Sequence, residues 1–224
     1  MENWSVNWSK KDWNNPKNII SRQFYARDTI EVARDLLGKV LVVSSQAGIT
    51  AGRIVETEAY QGNDPASHSC RGRTPRSEIM FGPPGVAYVY FIYGMYEMFN
   101  VVTENEGQAG AVLIRALEPL FGEALMKKRR NVEKSGELLR GPGKLCRAMD
   151  IRMSHRGASV RGPEIFILNG PSPKVSASPR VGIRQGTDKF WRFFETGSAF
   201  VSRAPQDKLA KVLPPKIRSA KRSA

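Results

Sequence analysis

The sequence predicts a single α+β domain that is rich in strands. Several short runs alternate apolar and polar residues, which is the pattern of half-buried strands. Few segments repeat apolar residues at the helical period, so helices are expected to form the smaller part of the fold. The chain has 224 residues, of which 41% are hydrophobic, and this is enough to bury one core without requiring a second domain.

The first half of the chain is predicted to form one helix followed by two strands. Residues 27–37 are expected to be helical, since Asp28 or Thr29 can cap the first turn. Glu31 stands where a capping box needs it, and Gly38 can end the helix. The two strands and the polar, turn-rich loop after them are expected at residues 39–44, 50–58 and 62–75.

An aromatic-rich segment follows the sequence GPPG at residues 82–85, which ends any regular element. Its residues, VAYVYFIYGMYEMFNVV, form two β-rich runs that meet at Tyr93 and Gly94. The segment therefore predicts a β-hairpin with its turn at that dipeptide. Alternation along the first strand places Tyr90 on one face and Tyr93 on the other, and we expect Tyr88 and Tyr96 to lie in the core.

The second half alternates predicted strands, helices and loops. A strand at 111–118, a helix at 122–130, part of a helix at 145–149 and an irregular loop at 170–180 are expected. From Arg203 onward the chain holds seven basic residues, one acidic residue and three prolines. Such a composition favours a largely disordered tail.

The formal net charge of +14 and the pI near 10.1 indicate a polyanionic partner such as nucleic acid. An anionic membrane surface is the competing partner. No run of about 18 apolar residues exists to span a bilayer. The absence of a long basic amphipathic helix disfavours a peripheral membrane protein as well.

The N-terminal residues and the cysteines favour an intracellular protein. The first fifteen residues lack the continuous apolar core of a secretory signal. The two cysteines, Cys70 and Cys146, are too few for a disulfide scaffold and fit a reducing compartment. The expected location is the cytoplasm or, in a bacterium, the nucleoid, and secretion is not expected.

No metal or organic cofactor is predicted. His68 and Cys70 invite a zinc interpretation with Cys146 and His155, but their spacing is not one of the usual zinc pairs. The H-x-E and P-C-x-x-C signature of zinc deaminases is also absent. The sequence GPGK is not a phosphate-binding P-loop, because Leu145 follows its lysine where serine or threonine would hold magnesium.

The segment GRIVETEAY combines a strand pattern with two carboxylates. Glu56, Glu58 and Tyr60 fall on one face of an extended strand. A buried carboxylate is costly unless another group pairs with it. The simplest interpretation of the two glutamates is that they are solvated charges at a sheet edge.

Seven short motifs in series argue against the interpretation of Glu56 and Glu58 as solvated charges. They are VETEAY, AxHS at 66–69, RxTPR within 71–76, YVYFIYGMY with Asn100, LIRALEP, GPGKLCRA and RVGI. In this order they resemble the alkyladenine (3-methyladenine) DNA glycosylases, over residues 24–202. The resemblance implies a glycosylase domain at 23–203, an N-terminal extension at 1–22 and a basic tail at 204–224. It also implies an antiparallel, partly barrel-like sheet with surrounding helices and a protruding hairpin that inserts into DNA.

The resemblance implies a monofunctional glycosylase that hydrolyses the N-glycosidic bond of damaged purines. Glu58 would orient the attacking water and stabilise the oxocarbenium-like charge on the sugar. Arg115 and the backbone carbonyl of Val181 would hold the same water, and Glu56 would support them. An ordinary salt bridge at a strand end is the alternative for Arg115. No lysine matches a Schiff-base position, so an abasic site without strand cleavage is the expected product.

By the same resemblance, Tyr60, His68 and Tyr90 would sandwich a base flipped out of the duplex. Tyr93 would fill the gap that the base leaves. Asn100 would crowd the minor-groove amino group that guanine carries and adenine or hypoxanthine lacks. The alternative for Asn100 is a strand-end amide bonded to backbone.

The expected partner is damaged double-stranded DNA, bound by a monomer. Arg73, Arg76 and Lys144 are candidates for contacts with its backbone, and a solvated surface charge is the alternative for Lys144. The expected substrates are 3-methyladenine, 7-methylguanine, hypoxanthine and ethenoadenine. The main rival is a non-catalytic, basic nucleic-acid-binding protein that uses the same aromatic platform.

Overall fold

The computed structural model describes residues 16–216 as an α+β fold around one large antiparallel sheet, which does not close into a barrel. Within these residues the strands are β1 Val40–Ser45, β2 Gly48–Gln61, β3 Ala87–Ile92, β4 Tyr96–Val102, β5 Gly110–Phe121, β6 Ile165–Leu168, β7 Val175–Ser178, β8 Arg192–Glu195 and β9 Lys211–Val212. The α-helices are α1 Arg22–Tyr25, α2 Thr29–Asp35, α3 Glu123–Arg130 and α4 Pro142–Met149. The predicted α+β class is confirmed.

The sheet is built around the long strand β2. Its main path runs in the order β3, β4, β5, β2, β8, β7 and β9, while β1 pairs with β2 and β6. Strand β2 therefore has β5 along one edge and β1, then β8, along the other. A register shift at Glu56 bends the β2 and β5 pair. Because β2 is internal, Glu56 and Glu58 are fully buried, and the interpretation of them as solvated edge charges is wrong.

Helix α2 begins at the predicted cap. The side chain of Asp28 accepts hydrogen bonds from the backbone N–H groups of Ile30 and Glu31, at 2.9 and 3.0 Å. The helix ends sooner than predicted, at Asp35. Gly38 follows with a φ of +82°, a conformation that glycine adopts readily, and directs the chain into β1.

The predicted hairpin is confirmed as β3 and β4. Its turn places Tyr93 and Gly94 at φ values of +53° and +67°, as a type I′ turn requires. Tyr88 lies in the core as predicted. The expectation for Tyr96 is wrong, because the tip of the hairpin extends away from the core and leaves this ring 45% exposed.

Two predicted irregular regions contain regular structure. The loop expected at 170–180 includes β7, which pairs with β8 and β9. The expectation of a disordered tail is wrong for residues 205–212, which form a 3-10 helix, Pro205–Leu209, and β9. Leu213 then packs against the core. Residues 1–15 and 217–224 lie outside the described residues, so the tryptophan-rich N-terminus and the end of the basic tail have no structural account.

Truncation tests how far the described part of the tail stabilises the fold. Removing residues 204–224 deletes β9 and the partner of a buried arginine, at a cost of roughly 1–3 kcal/mol. We expect the melting temperature to fall by at least about 3 °C. Differential scanning calorimetry checks this, and a melting temperature equal to that of the full chain would contradict it.

Candidate active site

A cavity of about 350 Å³ opens between the β3 and β4 hairpin, β5 and the loop after β7. Its size is that of a site for a small ligand. The predicted site residues that line the cavity are Tyr60, His68, Tyr90, Tyr93, Asn100, Arg115 and Val181. The structure therefore brings together residues that are widely separated in the sequence.

Glu58 lies directly behind this wall. Its side chain is fully buried, and three residues that line the cavity donate hydrogen bonds to it. The Tyr60 hydroxyl and Arg115 Nη1 reach Oε2 at 2.9 and 3.3 Å. The backbone N–H of Val181 reaches Oε1 at 2.7 Å. The prediction had assigned the carbonyl of Val181 to a water, whereas the contact in this structure is made by its amide.

The protonation of these donors is fixed by their surroundings. Burial, followed by the negative charge of Glu58, raises the pKa of Tyr60 well above its usual value, so its hydroxyl keeps its proton. Burial opposes the charge of Arg115, but Glu58 and Glu56 outweigh it and raise the pKa of this guanidinium. Both groups are therefore donors at neutral pH.

Glu56 supports the cavity wall from the protein interior. Its Oε1 accepts hydrogen bonds from Arg115 Nε at 2.9 Å and from Arg192 Nε at 2.7 Å. Burial tends to raise the pKa of Glu56, but Arg115 and Arg192 outweigh it and hold the pKa below its usual value. Two carboxylates thus compensate two buried guanidinium groups.

Aromatic rings form one side of the cavity. The His68 and Tyr90 rings meet edge to face at 4.7 Å, and the Tyr88 ring lies 5.1 Å from that of Tyr90. His68 Nδ1 is hydrogen-bonded to the Tyr88 hydroxyl at 2.8 Å. Partial burial and then the charge of Arg76 lower the pKa of His68 to about 4, so the imidazole is neutral at pH 7. Tyr88, predicted only as a core residue, is also part of this wall.

Asn100 is buried at the cavity wall and lies opposite Tyr88 in the pairing of β3 with β4. Its Nδ2 donates to the Tyr88 carbonyl at 3.1 Å. The bond to backbone that the alternative interpretation required is therefore present. The same bond holds the side chain where it lines the cavity, so the two interpretations are compatible.

The hairpin tip is exposed and apolar. Tyr93 is 81% exposed and Met95 is 66% exposed, and Phe91 beside them is also exposed. Tyr93 contributes to the cavity lining as well. An exposed cluster of large apolar side chains at the mouth of a cavity is typical of a binding surface.

The three basic candidates for DNA backbone contacts are all exposed. Arg73 forms an ion pair with Glu78 at 2.6 Å. Arg76 lies over the Tyr90 ring at 5.0 Å. Lys144 stands in the first turn of α4. Their contacts with DNA stay predictions.

The zinc interpretation gains no support from geometry. Cys70 is exposed whereas Cys146 is fully buried, and burial raises the pKa of the Cys146 thiol. Within residues 16–216, no three His, Cys, Asp or Glu side chains are grouped so as to hold a metal ion. Over the same residues, no helix is long and apolar enough to cross a membrane.

Sequence reasoning missed a buried ion pair that joins two loops at the cavity. Arg180 binds both carboxylate oxygens of Asp64 and donates to the Ala59 carbonyl at 2.8 Å. Its guanidinium lies 4.7 Å from the centre of the Tyr60 ring. Burial raises the pKa of Asp64, but the bonds and charge of Arg180 outweigh it and leave the pKa below its usual value. Arg180 belongs to the motif RVGI, and no local pattern links it to Asp64.

Comparison with known proteins identifies the family. Residues 23–199 match the family model described as "Methylpurine-DNA glycosylase (MPG)". The chain belongs to the methylpurine-DNA glycosylase family. Enzymes of this family hydrolyse N-glycosidic bonds in DNA, so both the predicted family and the prediction of a DNA glycosylase are confirmed.

Individual relatives of this glycosylase agree. A protein from Methanocella arvoryzae is 51% identical over 197 residues, covering 84% of this chain and 98% of the relative. One from Rhodopseudomonas palustris is 48% identical over 186 residues, covering 82% and 90%. One from Carboxydothermus hydrogenoformans is 46% identical over 189 residues, covering 83% and 99%. Each carries the name "Putative 3-methyladenine DNA glycosylase".

Replacing Asp64 tests the importance of its ion pair. Asp64→Asn leaves Arg180 as an uncompensated buried charge, and we expect the free energy of unfolding at pH 7 to fall by roughly 3 kcal/mol. Because the pKa of Asp64 is lowered in the folded protein, its contribution is complete above about pH 4 and is lost as the pH falls further. The difference between variant and parent should therefore shrink in acid.

Urea unfolding at several pH values measures both effects. Asp188→Asn is the matched control, because Asp188 is an exposed acid in the neighbouring loop. A loss for Asp64→Asn below about 0.5 kcal/mol, as for ordinary surface changes, would show that Arg180 does not depend on Asp64.

Proposed function

We propose that this glycosylase removes alkylated and deaminated purines from double-stranded DNA by hydrolysis, through base flipping and a water activated by Glu58. The supporting observation is a fully buried carboxylate whose three hydrogen-bond donors all line an aromatic cavity. The names of the relatives refer to 3-methyladenine. Hypoxanthine, 7-methylguanine and ethenoadenine complete the proposed substrate class.

The hydrogen bonds of Glu58 leave it able to accept a water. An ionised carboxylate has about four acceptor sites, and Tyr60, Arg115 and Val181 occupy three of them. In this proposal, the remaining site accepts a proton from a water that enters between the lining residues and attacks the anomeric carbon. The negative charge of Glu58 also stabilises the oxocarbenium-like transition state. In this proposal the Val181 carbonyl and Arg115 hold the water from the cavity side.

The aromatic wall suits a flipped base. Extrusion of a nucleotide costs a few kcal/mol, and stacking offsets about 1–3 kcal/mol per base. Tyr60, His68 and Tyr90 provide the stacking surface in this proposal. A neutral His68 places no positive charge against the base. Cationic lesions such as 3-methyladenine therefore avoid the repulsion that a protonated imidazole would cause.

The remaining surface suits duplex DNA. The net charge of +14 supports binding to phosphates, and Arg73, Arg76 and Lys144 remain the proposed backbone contacts. Tyr93 would fill the gap left in the base stack, since it is the most exposed large apolar side chain of the described residues. We keep the predictions of a monomer, of a monofunctional reaction that leaves an abasic site, and of an intracellular location.

Replacing Glu58 tests the proposed mechanism. Glu58→Gln keeps the shape of the side chain but removes its charge and its basicity. We expect the single-turnover rate on a hypoxanthine duplex to fall by at least ~100-fold, with binding of the damaged duplex retained. Quench-flow excision and fluorescence anisotropy measure the two quantities.

The control for Glu58→Gln is Glu118→Gln. Glu118 lies on β5 and pairs with Arg53 away from the cavity. Glu56→Gln is not a mild control, since Glu56 compensates two buried arginines. A rate within threefold of the parent for Glu58→Gln would exclude Glu58 as the catalytic carboxylate.

Tyr93→Ala tests whether Tyr93 acts as a wedge, that is, whether its ring fills the gap left by the flipped base. Because Tyr93 is exposed, the melting temperature should not change. Loss of the ring should slow excision most for a well-paired lesion and least for a lesion in a loop or mismatch, where extrusion costs less. Equal losses on both substrates would argue against a wedge.

Substitutions of Asn100 test whether its side chain excludes guanine-type bases from the cavity. Asn100→Ser shortens the side chain at the cavity wall and should raise excision of guanine-type bases relative to hypoxanthine, whereas Asn100→Gln should not. Parallel excision rates on both bases give the ratio. If Asn100→Ser slows both bases without changing that ratio, Asn100 supports the cavity but does not select the base.

A further inference from the structure

The buried carboxylate of Glu56 is held by a segment near the C-terminal end of the described chain. The Ser202 backbone N–H donates to Glu56 Oε2 at 2.7 Å, and the Ser202 hydroxyl donates to Oε1 at 2.8 Å. With the Nε atoms of Arg115 and Arg192, four donors meet this carboxylate. Such saturation fixes the position of Glu56, because a buried carboxylate that loses a donor is strongly destabilised.

Arg192 joins the two ends of the segment formed by residues 202–207. Its Nη1 donates to Asp207 Oδ1 at 2.6 Å and to Ser178 Oγ at 3.1 Å. Its Nη2 donates to the Ser202 carbonyl at 2.9 Å. The guanidinium is planar, so these bonds hold Glu56, Ser202 and Asp207 in fixed relative positions.

We propose that residues 202–207 act as a positioning strap for Arg115. The strap fixes Glu56, and Glu56 fixes Arg115 Nε. Because the arginine fork is rigid, fixing Nε also sets the direction of Nη1, which contacts Glu58. Ser202 and Asp207 are positioning residues and do not touch the substrate. This inference rests on the role proposed above for Arg115 and Glu58.

The strap lies beyond the part of the chain that matches the family. The family model ends at residue 199, so it includes Glu56, Arg115 and Arg192 but neither Ser202 nor Asp207. The chain thus completes the hydrogen bonding of a buried site carboxylate with residues outside the family match. The sequence instead predicts a disordered tail from residue 203 onward, which includes Asp207 but not Ser202.

Ser202→Ala tests the strap in the full-length chain. It removes the hydroxyl donor to Glu56 but keeps the backbone N–H. Solvent exchange of the Arg115 Nε–H, followed by ¹⁵N NMR, reports its position without requiring activity. We expect faster exchange and an excision rate about 3- to 10-fold lower, which corresponds to the net contribution of one ordinary hydrogen bond. Affinity for a duplex with a tetrahydrofuran abasic analogue should be unchanged, and Ser202→Thr, which keeps the hydroxyl, should restore both values.

Asp207→Ala removes the partly exposed partner of Arg192 in the strap. It should also speed exchange at Arg115 and lower the excision rate. Glu118→Gln is the control and should produce neither. Unchanged exchange at Arg115 in both Ser202→Ala and Asp207→Ala would overturn the strap, as would faster exchange with an unchanged excision rate. If the parent chain releases no base but exchange still rises in Ser202→Ala, the coupling stands and the proposed function fails.

Discussion

The site depends on two carboxylates and two guanidinium groups buried together inside the sheet. Each of these charges would be costly alone, and each is compensated because neighbouring strands bring opposite charges together. Glu56 and Glu58 come from β2, Arg115 from β5 and Arg192 from β8. Since β2 lies between β5 and β8, the strand order determines which side chains can meet. The sheet therefore holds a negative charge at the cavity wall that the chain could not hold at a mobile surface.

Around these buried charges the other parts of the site differ in exposure. The aromatic wall comes from the hairpin and from the loop that carries His68, and the pair of Arg180 with Asp64 anchors that loop to the strand end before Val181. The hairpin tip, in contrast, is exposed and presents Tyr93 outward. A fixed carboxylate with a protruding apolar tip matches the two requirements of the proposed reaction, which are a precise water position and entry into a base stack.

Local patterns predicted much of this fold. Capping chemistry at Asp28 and the turn at Tyr93 and Gly94 depend on residues close in sequence, and each is present in the structure. Strand β2 also forms, but it is buried over most of its length and does not show the alternating burial of a half-buried strand. The resemblance supplied the residues that line the cavity. What failed depends on distant contacts: β7 and β9 form because strands pair with them, although their own composition favours a loop and a disordered tail.

The two buried contacts that the sequence did not predict also depend on residues far apart in the chain. Arg180 and Asp64 are 116 positions apart, and Ser202 and Glu56 are 146 positions apart. Nothing in either local sequence identifies the partner, so both pairs became visible only in the folded chain. For Glu56 the sequence predicted a supporting role, but not that a C-terminal segment supplies two of its four donors.

Base release from a defined duplex tests the central claim most directly. The chain is incubated with a duplex that carries one hypoxanthine, and the products are separated with and without hot alkali. The account predicts strand cleavage at the lesion only after alkali, because hydrolysis leaves an intact backbone at an abasic site. Binding of the duplex without any alkali-sensitive site would contradict the account and would favour a non-catalytic nucleic-acid-binding protein.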